Sequence, residues 1–221
     1  MESAGILAGP MLRRGDTESV AICGAMDCPV EVDAAIYFLD TLIQLDTATK
    51  TTSIRAGHRL FIHLVQVRGQ FPTETLLGYD LFFRVGKIIN TLGSLRLFNK
   101  NEDSITYDGR PYPSLFIPAT AAPTFLYASC RKFHRKGDDA LIAEDGLLKR
   151  KKRNLANQPA TMLLTGDQFY ADDMADPLFP VIRTIAEHYI GKEDLRQFDL
   201  RLREKPFRTA AWQVNGGLFI S

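Results

Sequence analysis

Histidine, tryptophan and cysteine are scarce in this chain of 221 residues: four His, one Trp and three Cys. Three cysteines (Cys23, Cys28 and Cys130) cannot make a fully paired disulfide framework, so they read as reduced thiols. The opening Met1-Glu2-Ser3-Ala4-Gly5 puts an acid where a secretory leader carries basic residues. Its apolar stretch is broken by Gly9-Pro10 and Arg13-Arg14. Thiols without a leader predict a cytoplasmic protein. No apolar run approaches the ~18 residues of a membrane-spanning helix, so no membrane partner is expected. Charge of one sign is also lacking. Twenty-seven Lys+Arg against 26 Asp+Glu leave a net charge of +1, which gives no global attraction to nucleic acid. A content of 45% hydrophobic and 24% charged residues excludes wholesale disorder. Sixteen Gly and 11 Pro exclude collagen-like character, and the length predicts one or two domains.

The first half carries strand signals and almost no helical period. Val20–Cys23, Val30–Phe38, Arg59–Val67 and Leu76–Val85 are rich in β-branched and aromatic residues or alternate apolar with polar. Turn formers separate them at Cys28-Pro29, Ala56-Gly57, Phe71-Pro72 and Asp108-Gly109. This pattern predicts an antiparallel β-sandwich domain over residues 1–118. Ile88–Asn99 reads as either a short helix or a loop excursion, and Tyr107–Pro118 as an extended connector. His58 and His63 read as a turn residue and a strand residue, because no carboxylate or thiol clusters with them.

Beyond about residue 119 the texture changes. Thr124–Ala128 is a short apolar run. Asp138-Asp139 can cap a helix over Ala140–Lys149, and Ala160–Thr165 is a second apolar run. Strand, helix, strand predicts a βαβ crossover with parallel strands buried on both faces. Ligands of such sheets bind beyond the carboxyl ends of the strands. Cys130 follows the first strand and Asp167 the second, so a thiol and a carboxylate share one edge. Around Asp167, the segment Gly166–Asp173 supplies Asp167, Tyr170, Asp172 and Asp173, a hard-oxygen donor set for metal ions. Asp172, Asp173 and Asp176 equally suit the start of the following helix. That helix is predicted over about Ala175–Ile190, with Leu178, Ile182, Ile185 and Tyr189 on one apolar face and a stop at Gly191. A second amphipathic helix is predicted over Asp194–Glu204. The basic run Lys149–Arg153 reads as a solvated loop.

Tyr127-Ala128-Ser129-Cys130-Arg131-Lys132-Phe133-His134 resembles the Ser-Cys-Arg-Lys motif of the alkaline phosphatase D (PhoD-like) metallophosphatases. Leu163 to Asp173 is similar to the family's Gly-Asp-Gln-Ile-Tyr-Ala-Asp-Asp motif, and Ile6–Arg14 resembles the opening of its N-terminal β-sandwich. The resemblance implies a hydrolase of phosphate mono- or diesters, with residues 119–221 forming part of an α/β metallophosphatase domain. It implies a cofactor of iron with calcium, or another divalent metal. Cys130 is then a thiolate ligand, Asp167 a ligand, and Tyr170 a phenolate ligand, as in the related Gly-Asp-x-x-Tyr motif of purple acid phosphatases. Arg131 and His134 become candidates to meet the substrate phosphate.

The family adds an Asp-Asp-His-Asp/Glu-like segment and later histidine motifs, whereas this sequence offers only His58, His63, His134 and His188. The expectation is therefore an N-terminal fragment with a catalytically incomplete site. Its unfinished sheet and the apolar Trp212, Leu218, Phe219 and Ile220 would favour self-association. The alternative function class is a non-catalytic β-sandwich that binds another protein.

Overall fold

The computed structural model describes residues 4–98, 104–107, 109–119, 123–131, 139–151, 155, 158–166, 170 and 175–192. Strands β1 (Ile6–Gly15), β2 (Ser19–Met26), β4 (Thr47–Arg55) and β5 (Phe61–Gly69) form one sheet in the order β1-β2-β5-β4, antiparallel throughout. Strands β3 (Glu31–Phe38), β6 (Leu77–Val85) and β7 (Ile88–Thr91) form the second, and the two-residue strand β8 (Ser114–Leu115) pairs with β6.

Alternation sets the inward faces, because successive side chains on a strand point to opposite sides. Val20 and Ile22 of β2 stand opposite Val67 and Val65 of β5. Val32, Ala34 and Ile36 of β3 stand opposite Phe83, Leu81 and Tyr79 of β6. All ten are buried in one cluster that Leu45, Phe71, Leu92, Leu115 and Ile117 complete. Burying a side chain such as Ile22, which has 0% exposure, contributes about 1.5–3 kcal/mol.

The sandwich is closed along one side by hydroxyls. Thr49 and Thr51 of β4 donate to the Ala34 and Val32 carbonyls of β3 at 3.2 and 2.7 Å. These bonds satisfy two carbonyls on the outer edge of β3, and the backbone of Ile43 and Leu45 serves Phe38 and Ile36 farther along it. The same inward face of β4 carries Ser53, directly opposite His63. Its hydroxyl lies 2.7 Å from the His63 Nδ1.

Ile88–Asn99 contains no helix among its described residues. Ile88–Thr91 pairs back onto β6, and turns follow to Phe98. A carboxylate decides this arrangement: Asp80 on β6, buried, accepts the Leu92 N–H at 3.1 Å and the Leu81 N–H at 2.8 Å. The Tyr107–Pro118 connector is not simply extended: the Arg110 N–H turns back to the Tyr107 carbonyl at 3.0 Å, and Ser114–Leu115 contributes β8.

The second region is a βαβ unit. Strands β9 (Phe125–Ala128) and β10 (Thr161–Leu164) pair in parallel, in register, with helix α1 (Ala140–Lys151) between them. Helix α2 (Phe179–Tyr189) follows a 3-10 turn at Asp176–Leu178, so Asp176 does sit at a helix start. The expected burial of both sheet faces is not found: Phe125, Tyr127, Met162, Leu163 and Leu164 are all exposed. Among described residues 123–192 only Pro159 is buried, so the described part of the unit encloses no core of its own. The apolar stripe of α2 is uncovered too, with Leu178, Ile182 and Ile185 exposed.

Hydrogen bonds join the regions at two places among the described residues. The Tyr107 hydroxyl donates to the Asp145 carboxylate of α1 at 3.0 Å. The end of α2 seats on the β4–β5 turn, where the His58 and Arg59 N–H groups donate to the Ile190 and Tyr189 carbonyls at 3.1 and 2.8 Å. Gly57 permits this approach, since a Cβ there would lie 2.5 Å from the Tyr189 carbonyl oxygen. The predicted stop is also in place: Gly191 has φ of +109° and donates to the Ala186 carbonyl at 3.1 Å.

Candidate metal centre

The parallel pairing of β9 and β10 sets the geometry of the candidate site. Ala128 stands opposite Leu164, and the Thr165 N–H continues the ladder to the Ala128 carbonyl at 3.0 Å. Each strand then turns out of the sheet at the second residue past its end. Those residues are Cys130, with φ of +58°, and Gly166, with φ of +75°. Glycine takes this left-handed conformation without penalty, whereas cysteine is disfavoured in it. A residue with a side chain keeps such a conformation only where its surroundings hold it there, a condition concentrated at functional sites.

Cys130 is exposed at this edge, with its Sγ 3.3 Å from the Ser129 hydroxyl. Tyr170, four residues beyond Gly166, is half-buried. Asp167, Asp172, Asp173 and His134 lie outside the described residues, as do the Asp194–Glu204 segment and Trp212, Leu218, Phe219 and Ile220. The expected approach of Cys130 to Asp167 therefore rests on the strand register and on Gly166, which immediately precedes Asp167.

Arg131 has a specific partner. Its Nε bonds the two Asp139 carboxylate oxygens at 3.1 and 2.9 Å, and an Nη joins the same carboxylate. Asp139 also caps α1, its Oδ1 accepting the Leu141 N–H at 3.0 Å. The Arg131 side chain, and next the Leu141 N–H, hold the Asp139 carboxyl below the usual carboxylate range. The cap is legible in the sequence, whereas the ion pair is not. Its signal is an Arg at the strand exit followed, across the loop, by the capping acid.

The remaining described histidines sit elsewhere. His63 is 2% exposed inside the sandwich, and burial lowers its pKa. Among the described residues its Nε2 has no hydrogen-bond partner. The His58 ring packs on Gly191, and His188 is exposed on α2, edge-on to Tyr189. Both sandwich histidines thus take the structural roles expected of them. A cleft of about 1090 Å³ opens at one end of the sandwich, lined by Asp16, Ser19, Phe38, Leu45 and Arg68 among others. The Asp16 carboxylate there is committed to a local turn, accepting the Glu18 and Ser19 N–H groups at 3.0 and 2.8 Å.

Among the described residues no three His, Cys, Asp or Glu side chains stand together as a metal site. Nor, among them, is any helix long and apolar enough to cross a membrane. No protein-family model matches the chain, and comparison with curated proteins finds no match.

Proposed function

We propose that this chain is a metal-dependent phosphate-ester hydrolase of the PhoD-like type, with a metal site at the carboxyl edge of β9 and β10. One observation carries the reading: two parallel strands in register end in left-handed residues at equivalent positions, Cys130 and Gly166. The sequence sets Asp167 next to the second of these, and Tyr170 shortly after it. Such an edge is where α/β sheets hold ligands.

The donor set fits iron. A thiolate, a carboxylate and a phenolate are anionic donors suited to a ferric ion, and coordination deprotonates a thiol outright. Calcium is a poorer match to Cys130, because it takes six to eight oxygen ligands. Its candidates in this chain are Asp167, Asp172 and Asp173. When bound, the metals would polarise the phosphoryl oxygens and lower the pKa of the attacking water. The chain's own contribution is to bring the exits of β9 and β10 to one sheet edge, with Cys130 at the first and Gly166, which precedes Asp167 in sequence, at the second.

Cys130, Asp167 and Tyr170 are three strong donors, fewer than a binuclear cluster with its supporting partners requires. The 221 residues alone are therefore expected to bind metal weakly and to turn over substrate slowly. The exposed apolar side chains of β9, β10 and α2 support the companion expectation that the chain self-associates.

The test supplies iron and calcium, measures bound metal, and assays a chromogenic phosphomonoester. Metal binding lowered by Cys130→Ser and Asp167→Ala, with little turnover, fits the reading. Metal-dependent turnover abolished by Asp167→Ala would show that the donor set is complete within these residues. Absence of any metal binding would sink the metallophosphatase reading and favour a non-catalytic binding protein.

A further inference from the structure

We infer that Asp139 is a positioning residue of this candidate metal centre, acting through Arg131 to hold the strand exit that carries Cys130. The inference rests on the metallophosphatase reading above. The last carbonyl of β9 in the ladder belongs to Ala128. Past it the strand ladder ends among the described residues, and Cys130 adopts a conformation that residues with a Cβ disfavour. The next side chain, Arg131, is fastened at more than one point to Asp139. A planar guanidinium on a carboxylate fixes direction as well as distance, which a lysine ammonium would not do.

Asp139 is itself anchored as the cap of α1. That helix leads the chain on to β10 and Gly166. The ion pair therefore ties the exit of one strand to the crossover that delivers the other. Both partners are half-buried, with 28% and 20% of their side chains exposed. Holding the thiol in place beforehand removes part of the ordering cost of metal binding.

Co²⁺ alone is the probe, titrated into the 221-residue chain while the thiolate-to-cobalt charge-transfer band is followed. Cys130→Ser identifies the part of the band that belongs to Cys130. Asp139→Asn keeps a capping side chain but removes the charged partner, and Arg131→Lys leaves the cap untouched. Each is expected to raise the apparent Kd for Co²⁺ about tenfold, with the far-ultraviolet helix signal retained. The double variant is expected to be no worse than either single one, as a shared interaction requires. If both single variants bind Co²⁺ as tightly as the parent, with the same band, the positioning role is overturned and the metal reading stands. The positioning role is equally overturned if the variants lower the melting temperature and leave Co²⁺ binding unchanged. If the parent itself shows no Cys130-dependent band, the metal reading falls and this inference falls with it.

Discussion

The sandwich and the βαβ unit are built from similar residues and end in opposite states of burial. Ile22, Ile36, Val65, Val67 and Leu77 are fully enclosed, whereas Leu163 and Leu164 of β10 and Ile182 and Ile185 of α2 stand exposed. The difference lies in layers. Two antiparallel sheets cover each other's inward faces. A single pair of parallel strands needs a layer on each side, and among the described residues it has one crossover helix. Secondary structure alone therefore says little about where stability resides. The sandwich is expected to set the global stability, and the βαβ unit to open locally at much lower free energy. The candidate metal site falls in the less buried region, where bound metal would add stability by binding the ordered form.

Substitutions at matched residues put the two regions under the most severe test. Ile22→Ala should cost about 2–5 kcal/mol in urea unfolding, because the enclosed site leaves a cavity. Leu163→Ala, at an exposed position, should stay within about 0.5 kcal/mol. Equal effects would mean that the two regions share one core. The edge closure ranks next: Thr51→Val removes the hydroxyl that serves the Val32 carbonyl and should cost about 0.5–1.5 kcal/mol.

Acid probes the enclosed region through its buried titratable groups. Burial holds the His63 pKa below its ordinary value of 6.5. The neutral ring therefore contributes stability above pH 6.5, and that stability is lost as pH falls through the lowered folded value. Asp80 has the opposite sign, since burial raises its pKa, so its ionised cost at neutral pH is relieved in acid. Urea unfolding between pH 7 and 5 should show a decline that His63→Gln removes, and a decline unchanged in His63→Gln would contradict the assignment. The smallest expected effect is at the junction of the regions. Gly57→Ala should unseat the end of α2, seen as faster exchange of the His58 and Arg59 amides, while urea unfolding of the sandwich barely changes.

The parts of the fold that were legible in the sequence obey a simple period. Strands β2, β3, β5 and β6 show apolar alternation or β-branched runs, and α2 shows its stripe and its glycine stop. Strand β4 escaped because its inward residues are Thr49, Thr51 and Ser53, which close the sandwich with hydroxyls instead of apolar groups. Strand β7 escaped because it is short and its end is fixed by Asp80, a carboxylate distant in sequence. At the candidate site, the βαβ pattern alone puts the exits of β9 and β10, at Cys130 and Gly166, on one sheet edge, whereas the expected approach of Cys130 to Asp167 lies outside the described residues. The pairing of Arg131 with Asp139 was not legible, because it depends on how the intervening loop returns. The exposure of β9 and β10 is not legible either, because a βαβ pattern implies flanking layers without guaranteeing them.

The division into an enclosed sandwich and an open βαβ unit, and the metal response proposed for the latter, can be measured by amide hydrogen exchange, segment by segment, with and without added iron. Slow, metal-insensitive exchange is expected in β2, β5 and β6. Fast exchange is expected in β9, α1 and β10, slowing when iron is added and slowing less in Cys130→Ser. Exchange in β9 and β10 as slow as in β2 without metal, or unchanged by iron, would contradict that division.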